Sequence, residues 1–176
     1  MQRYVAFLRA INVGGHTVKM DHLRELFAEL GFEGVETFIA SGNVIFAAAG
    51  KEAALEAKVE RHLEKSLGYA VTTFLRTPAE LAAVAAHQPF EGVEAAHALY
   101  VGFLKAKPAA DRVKAVRELS SEANELEVHG RELYWLAHIR TGDNPITGAR
   151  LEKALGGQAT LRNITTVRKL AEKYRD

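Results

Sequence analysis

Hydrophobic positions along the chain alternate between two spacings. Residues 3–9, "RYVAFLR", are β-branched and aromatic and read as a strand. Residues 10–19 follow as a glycine-containing loop. Leu23, Leu26, Phe27 and Leu30 then recur at helical spacing, and Gly31 ends that helix. The runs "VETFIA" (35–40) and "NVIFAA" (43–48) predict strands split by Ser41-Gly42, a two-residue hairpin signal. Residues 51–67 predict a helix with Leu55, Val59, Leu63 and Leu67 on one side and Gly68 at its end. "AVTTFLR" (70–76) predicts a fourth strand. Thr77-Pro78-Ala79-Glu80 then has the form of a capping box with proline at the first helical position.

The same order starts again after a glycine- and proline-containing stretch around residues 88–96. "HALYVGFL" (97–104) predicts a strand, and Pro108 opens a helix to about Leu119 with Ala109, Val113 and Val116 inward. "ELEVH" (125–129) and "RELYWLA" (131–137) flank Gly130 as a hairpin. A helix over residues 147–155 ends at Gly156-Gly157, and "ATL" (159–161) predicts a short last strand. Asn163 caps a final helix with Val167, Leu170, Ala171 and Tyr174 on one face. The order strand, helix, strand, strand, helix, strand is the split β-α-β unit. The expected fold is α+β: two ferredoxin-like (βαββαβ) halves with antiparallel sheets and an extra C-terminal helix. The expected domains are residues 1–88 and 97–176, related as a structural repeat.

In that topology the first and second strands run parallel with the third antiparallel between them. The loop after the first strand and the hairpin before the third strand then open at one end of the sheet. Arg9, Asn12, Gly14, Gly15, His16 and Lys19 are therefore expected near Ser41, Gly42 and Asn43. Adjacent glycines can present successive backbone N–H groups to an anion. A following helix start adds partial positive charge, and Arg9 and Lys19 add full charges. The competing reading is that Gly14-Gly15 only turn the chain and Arg9 is a solvated strand end. Neither G-x-G-x-x-G nor G-x-x-x-x-G-K-[ST] is present. Arg162-Asn163 offers either a second anion grip or a surface charge beside a helix cap.

Several functions are disfavoured. The chain has no cysteine, which removes disulfides, thiolate metal sites and a cysteine nucleophile. Its seven histidines form no H-E-x-x-H and no close pair, so no metal and no cofactor are expected. Ser41 in "IASGNV" lacks the first glycine of a nucleophile elbow. His16 is the one histidine of the loop and the only nearby group suited to proton transfer at neutral pH. A net charge of +1 is not the footprint of a DNA binder. The N-terminal residues carry no signal-peptide pattern and no run is long enough to span a bilayer, so a cytoplasmic location without membrane contact is expected.

Both faces of several strands are apolar, and either the other half, the extra helix or a second copy of the chain would cover the second face. That leaves three readings. The leading one is binding of a small anionic ligand, a nucleotide or phosphorylated metabolite, at the glycine loop and hairpin. The alternative is a protein interaction or dimerisation module. The third is single-stranded RNA binding, which needs exposed aromatics on the central strands. The third strand lacks a basic-glycine-aromatic run, and Tyr4 and Phe7 fall on opposite faces.

The stretches "YVAFLRAINVGGHTVKMDHLRELFAELGFEGVETFIASGNVIF" and "RNITTVRKL" resemble the DUF1697 family of domains of unknown function. The strongest parts are Leu8 to Gly15 and Ser41-Gly42-Asn43. The family pattern usually has glycine where Ala10 stands and tryptophan where Ile164 stands. The resemblance implies a two-part α+β fold and no assigned activity. It adds weight to a site at Arg9, Asn12, Gly14, Gly15, Ser41, Gly42 and Asn43, all of which match the pattern.

Overall fold

The computed structural model describes residues 1–39, 42–94, 98–139 and 141–175. The chain divides into two units, one formed by residues 1–82 with the C-terminal residues from 170, the other by residues 83–169.

Unit 1 is built from β1 (Gln2–Leu8), α1 (Met20–Ala28), β2 (Glu33–Thr37), β3 (Asn43–Ala48), α2 (Glu52–Leu67) and β4 (Thr73–Arg76). The strands form an antiparallel sheet in the order β2-β3-β1-β4. This is the ferredoxin-like order expected from the sequence. Leu23, Leu26 and Phe27 of α1 and Leu55, Val59 and Leu63 of α2 share a core with Tyr4, Ala6 and Leu8. Phe46 stacks on Phe32 at 4.4 Å and sits 5.6 Å from Phe27. Each such fully buried side chain contributes about 1.5–3 kcal/mol. Val5 and Phe7, on the opposite face of β1, are buried as well.

Three sequence expectations shift here. The second strand lies at residues 33–37, not 35–40. It contains an irregularity between Glu33 and Glu36, and Ile39 adopts φ 58, which ends the extended backbone. The hairpin is longer than two residues. The Phe38 N–H donates to the Asn43 carbonyl at 3.1 Å, leaving residues 39–42 as the connection. The fourth strand begins at Thr73.

The capping box forms as expected at α3 (Pro78–Ala86): the Thr77 N–H donates to Glu80 Oε2 at 2.8 Å, and the Glu80 N–H to Thr77 Oγ1 at 3.2 Å.

Unit 2 follows the same plan with β5 (Ala98–Phe103), α4 (Ala110–Arg117), β6 (Asn124–His129), β7 (Glu132–Ala137), α5 (Gly148–Leu155) and β8 (Thr160–Asn163). Its sheet order is β6-β7-β5-β8. The last helix is α6 (Ile164–Lys173). Val116 is the one buried residue of α4, and Ala109 lies at its N-cap, exposed. Leu126, Leu133, Trp135, Leu151 and Leu155 form the unit's core with it.

The two sheets match in register. Ala6 lies between Val44 and Leu75, and Gly102 between Leu133 and Leu161. A Cβ on Gly102 would meet Leu161 at 3.1 Å and Leu133 at 3.3 Å. Arg76 opposite Val5 and Arg162 opposite Val101 also correspond, and both are buried.

Candidate functional site

The β1–α1 loop and the β2–β3 hairpin meet at one end of the unit 1 sheet, as the topology predicts. Phe7 pairs with Asn43. The Leu8 N–H donates to the Gly42 carbonyl at 2.9 Å, and the Arg9 N–H to the Thr72 carbonyl at 2.9 Å. Gly42 sits at φ 79 with its Cα against the loop: a Cβ there would lie 2.7 Å from Ile11 Cγ2 and 3.0 Å from Leu8 Cβ. Glycine is required at this approach both by conformation and by space.

The loop is braced from within and from the segment before β4. Asn12 Oδ1 accepts from the Val18 N–H at 2.7 Å. The Tyr69 hydroxyl donates to the Ile11 carbonyl at 3.2 Å, and the Tyr69 ring stacks on His16 with centroids 3.8 Å apart. The His16 N–H donates to the Val13 carbonyl at 3.3 Å. Gly14 (φ 65) and Gly15 (φ 89) are the central residues of that turn. Two successive positive φ values fit a type I′ turn, which glycine enters without steric cost. The space beside both glycines is open, and among the described residues neither N–H has a hydrogen-bond acceptor.

The expected site residues thus separate. Gly14, Gly15 and Lys19 stand exposed at the loop, and Arg9 is half-buried at its start. Lys19 occupies the N-cap position of α1, which has no side-chain cap. Asn12 and Asn43 do structural work. Asn43 is buried, and its Nδ2 donates to the Phe38 carbonyl at 3.1 Å. Ser41 lies outside the described residues. The sequence did not reveal Tyr69, because a tyrosine between a helix-ending glycine and a strand carries no motif.

Backbone conformation marks the same place. Among the described residues, Ala10 (φ 57) and Ile39 (φ 58) are the non-glycine residues with positive φ, one in the loop and one in the hairpin. Such conformations cost of order 1–3 kcal/mol and cluster at functional sites. Ala10 is left-handed, a conformation that glycine enters without steric cost. Val13 (64% exposed) and Ile39 (49%) also present large apolar side chains there.

Arg162 is not a surface charge. Its Nη1 donates to Thr160 Oγ1 at 2.7 Å and to the Leu161 carbonyl at 2.9 Å, and burial pushes the guanidinium down to about 10. The last strand runs over residues 160–163, not 159–161, so Arg162 lies within it, opposite Val101. Asn163 caps α6 as expected, with Oδ1 accepting from the Thr165 N–H at 2.9 Å. The aromatics Tyr4, Phe7 and Phe46 of the central strands are buried, so they offer bases no platform. Among the described residues no group of three or more metal-ligating side chains occurs, and no helix is long and apolar enough to cross a membrane.

A family model, "Protein of unknown function (DUF1697)", matches residues 1–134. The chain belongs to the DUF1697 family. Among solved structures, the chain is similar to the conserved bacterial protein SP0830 from Streptococcus pneumoniae, with a TM-score of 0.76 and 24% sequence identity over 98% of each chain. That likeness establishes the shared fold. No curated protein matches the chain.

Proposed function

We propose that this DUF1697 protein binds a small anionic ligand, a nucleotide or phosphorylated metabolite, at the β1–α1 loop. One comparison within the molecule carries the reading. Unit 2 makes the corresponding connection, from β5 to α4, with residues 104–109 and no left-handed residue. The fold therefore closes without a long glycine turn, and the longer loop of unit 1 is free to serve another purpose. Its exposed Gly14 and Gly15 N–H groups are donors for an anion. Lys19 supplies charge at the start of α1, where helix partial charge is positive, and Arg9 adds a second cation. Asn12 and Tyr69 hold the loop in shape, which lowers the entropy cost of binding. Asn43 and Gly42 support the loop from the hairpin.

A second reading rests on Val13 and Ile39. Two exposed apolar side chains at the same loops suit a protein contact. The two readings separate in a thermal-shift screen of nucleotides and phosphorylated metabolites, with Arg9→Ala and Lys19→Ala alongside. A ligand held at about 100 times its Kd stabilises by about 2.7 kcal/mol. Ligand binding predicts a shift that both variants reduce. No shift in the wild type, or shifts in both variants as large as in the wild type, rejects it.

A further inference from the structure

Unit 2 contains a cavity of about 1110 Å³ between the segment leading from α3 to β5, the first residues of β5 and the start of α6. This is large enough for a metabolite. Its lining has two chemistries. Pro89, Phe90 and Leu99 are apolar. Asn163, Thr165 and Arg168 are hydrogen-bond donors. Thr165 and Arg168 are three residues apart and so share one face of α6. The cap bond to Thr165 uses only the oxygen of the Asn163 amide, which leaves its NH₂ group as a donor. Among the described residues Arg168 has no acidic partner.

We infer that this cavity binds a small organic monoanion, a carboxylate carrying an apolar, planar body. Arg168 grips the carboxylate, for which the guanidinium fork is suited. Asn163 and Thr165 add neutral hydrogen bonds, and the body lies against Phe90 and Leu99. Glu91 and Glu94 also line the cavity. Two carboxylates against one guanidinium disfavour a dianion such as a phosphate monoester. This site therefore differs in ligand class from the loop of unit 1 and stands independently of it.

The test uses 8-anilinonaphthalene-1-sulfonate, an aromatic monoanion whose fluorescence rises in apolar surroundings, titrated into the full chain with amide chemical shifts followed by NMR. The expected result is saturable one-to-one binding, with shifts confined to residues 87–94, 98–99 and 163–168. Arg168→Gln, an exposed position, should weaken binding about tenfold, and Phe90→Ala should weaken it too. Inorganic phosphate should not compete, and Lys19→Ala should leave the titration unchanged. Absence of saturable binding overturns the inference. So does unaltered affinity in Arg168→Gln, competition by phosphate, or a loss of affinity in Lys19→Ala.

Discussion

The two sheets share strand order and register, yet their strand-to-helix ends differ. In unit 1, residues 9–19 wander through a type I′ turn, residues 38–42 join β2 to β3, and the left-handed non-glycine residues among those described, Ala10 and Ile39, lie one in each connection. In unit 2, residues 104–109 bridge β5 and α4, and Gly130-Arg131 alone close the β6–β7 hairpin. The irregular backbone of unit 1 is thus not a demand of the topology. Unit 2 places its departure from the simple pattern inside. Asn124 and Asn144 are buried and exchange side-chain hydrogen bonds at 2.9 and 2.6 Å. Trp135 Nε1 donates to Asn124 Oδ1 at 2.8 Å, and the Ile146 N–H to Asn144 Oδ1 at 2.9 Å. One unit spends its complexity on an exposed loop and the other on fastening the chain after β7 to the start of β6.

The largest effect should come from breaking that internal fastening. Asn124→Ala leaves the Trp135 Nε1 and Asn144 Nδ2 donors without their buried acceptor and should cost about 2–4 kcal/mol in chemical denaturation. A loss below about 1 kcal/mol would show that water replaces the network. Next come the two hairpins. Gly42→Ala must accommodate both φ 79 and the Ile11 contact, and should cost about 2–4 kcal/mol. Gly130→Ala, at φ 60 in open space, meets only the conformational cost, about 1 kcal/mol. Equal losses would erase the distinction between the hairpins. Ala10→Gly removes the steric cost of φ 57 in the loop and should stabilise by about 0.5–1 kcal/mol, less the added freedom of the unfolded chain. Destabilisation would mean that the alanine methyl group holds the loop.

The smallest effect is a pH dependence in unit 2. His87 stacks on His129 at 4.0 Å and lies 5.0 Å from Tyr134. Burial holds its imidazole below the usual 6.5, and the His129 charge adds to this, with Glu127 opposing. The folded state therefore favours the neutral ring. Its contribution to stability is present above about pH 6.5 and is lost as pH falls through the lower folded value. Denaturation midpoints at pH 7.5 and 5 should converge in His87→Phe. An unchanged pH profile would assign the acid sensitivity to other groups.

Much of this was legible from the chain because it depends on local periodicity. Helix faces, the Gly68 and Gly156 helix ends, the Thr77-Glu80 box and the Asn163 cap each follow from residues within a few positions of one another. The meeting of the glycine loop with Gly42-Asn43 followed once the strand order was inferred. Where short-range signals compete, the reading slipped: "VETFIA" has strand composition throughout, but a left-handed Ile39 ends the strand early.

The sequence by itself determined the order of elements, the ferredoxin-like character of each half and the end of the sheet at which the glycine loop opens. Only the tertiary structure decided that Asn12 and Asn43 brace the backbone, that Tyr69 stacks on His16, that Arg162 is buried and that Asn124 reaches Asn144. The physical reason is range. Periodicity and caps are set by neighbours along the chain, whereas a polar side chain's partner is set by which distant backbone group the packed core brings within hydrogen-bond reach.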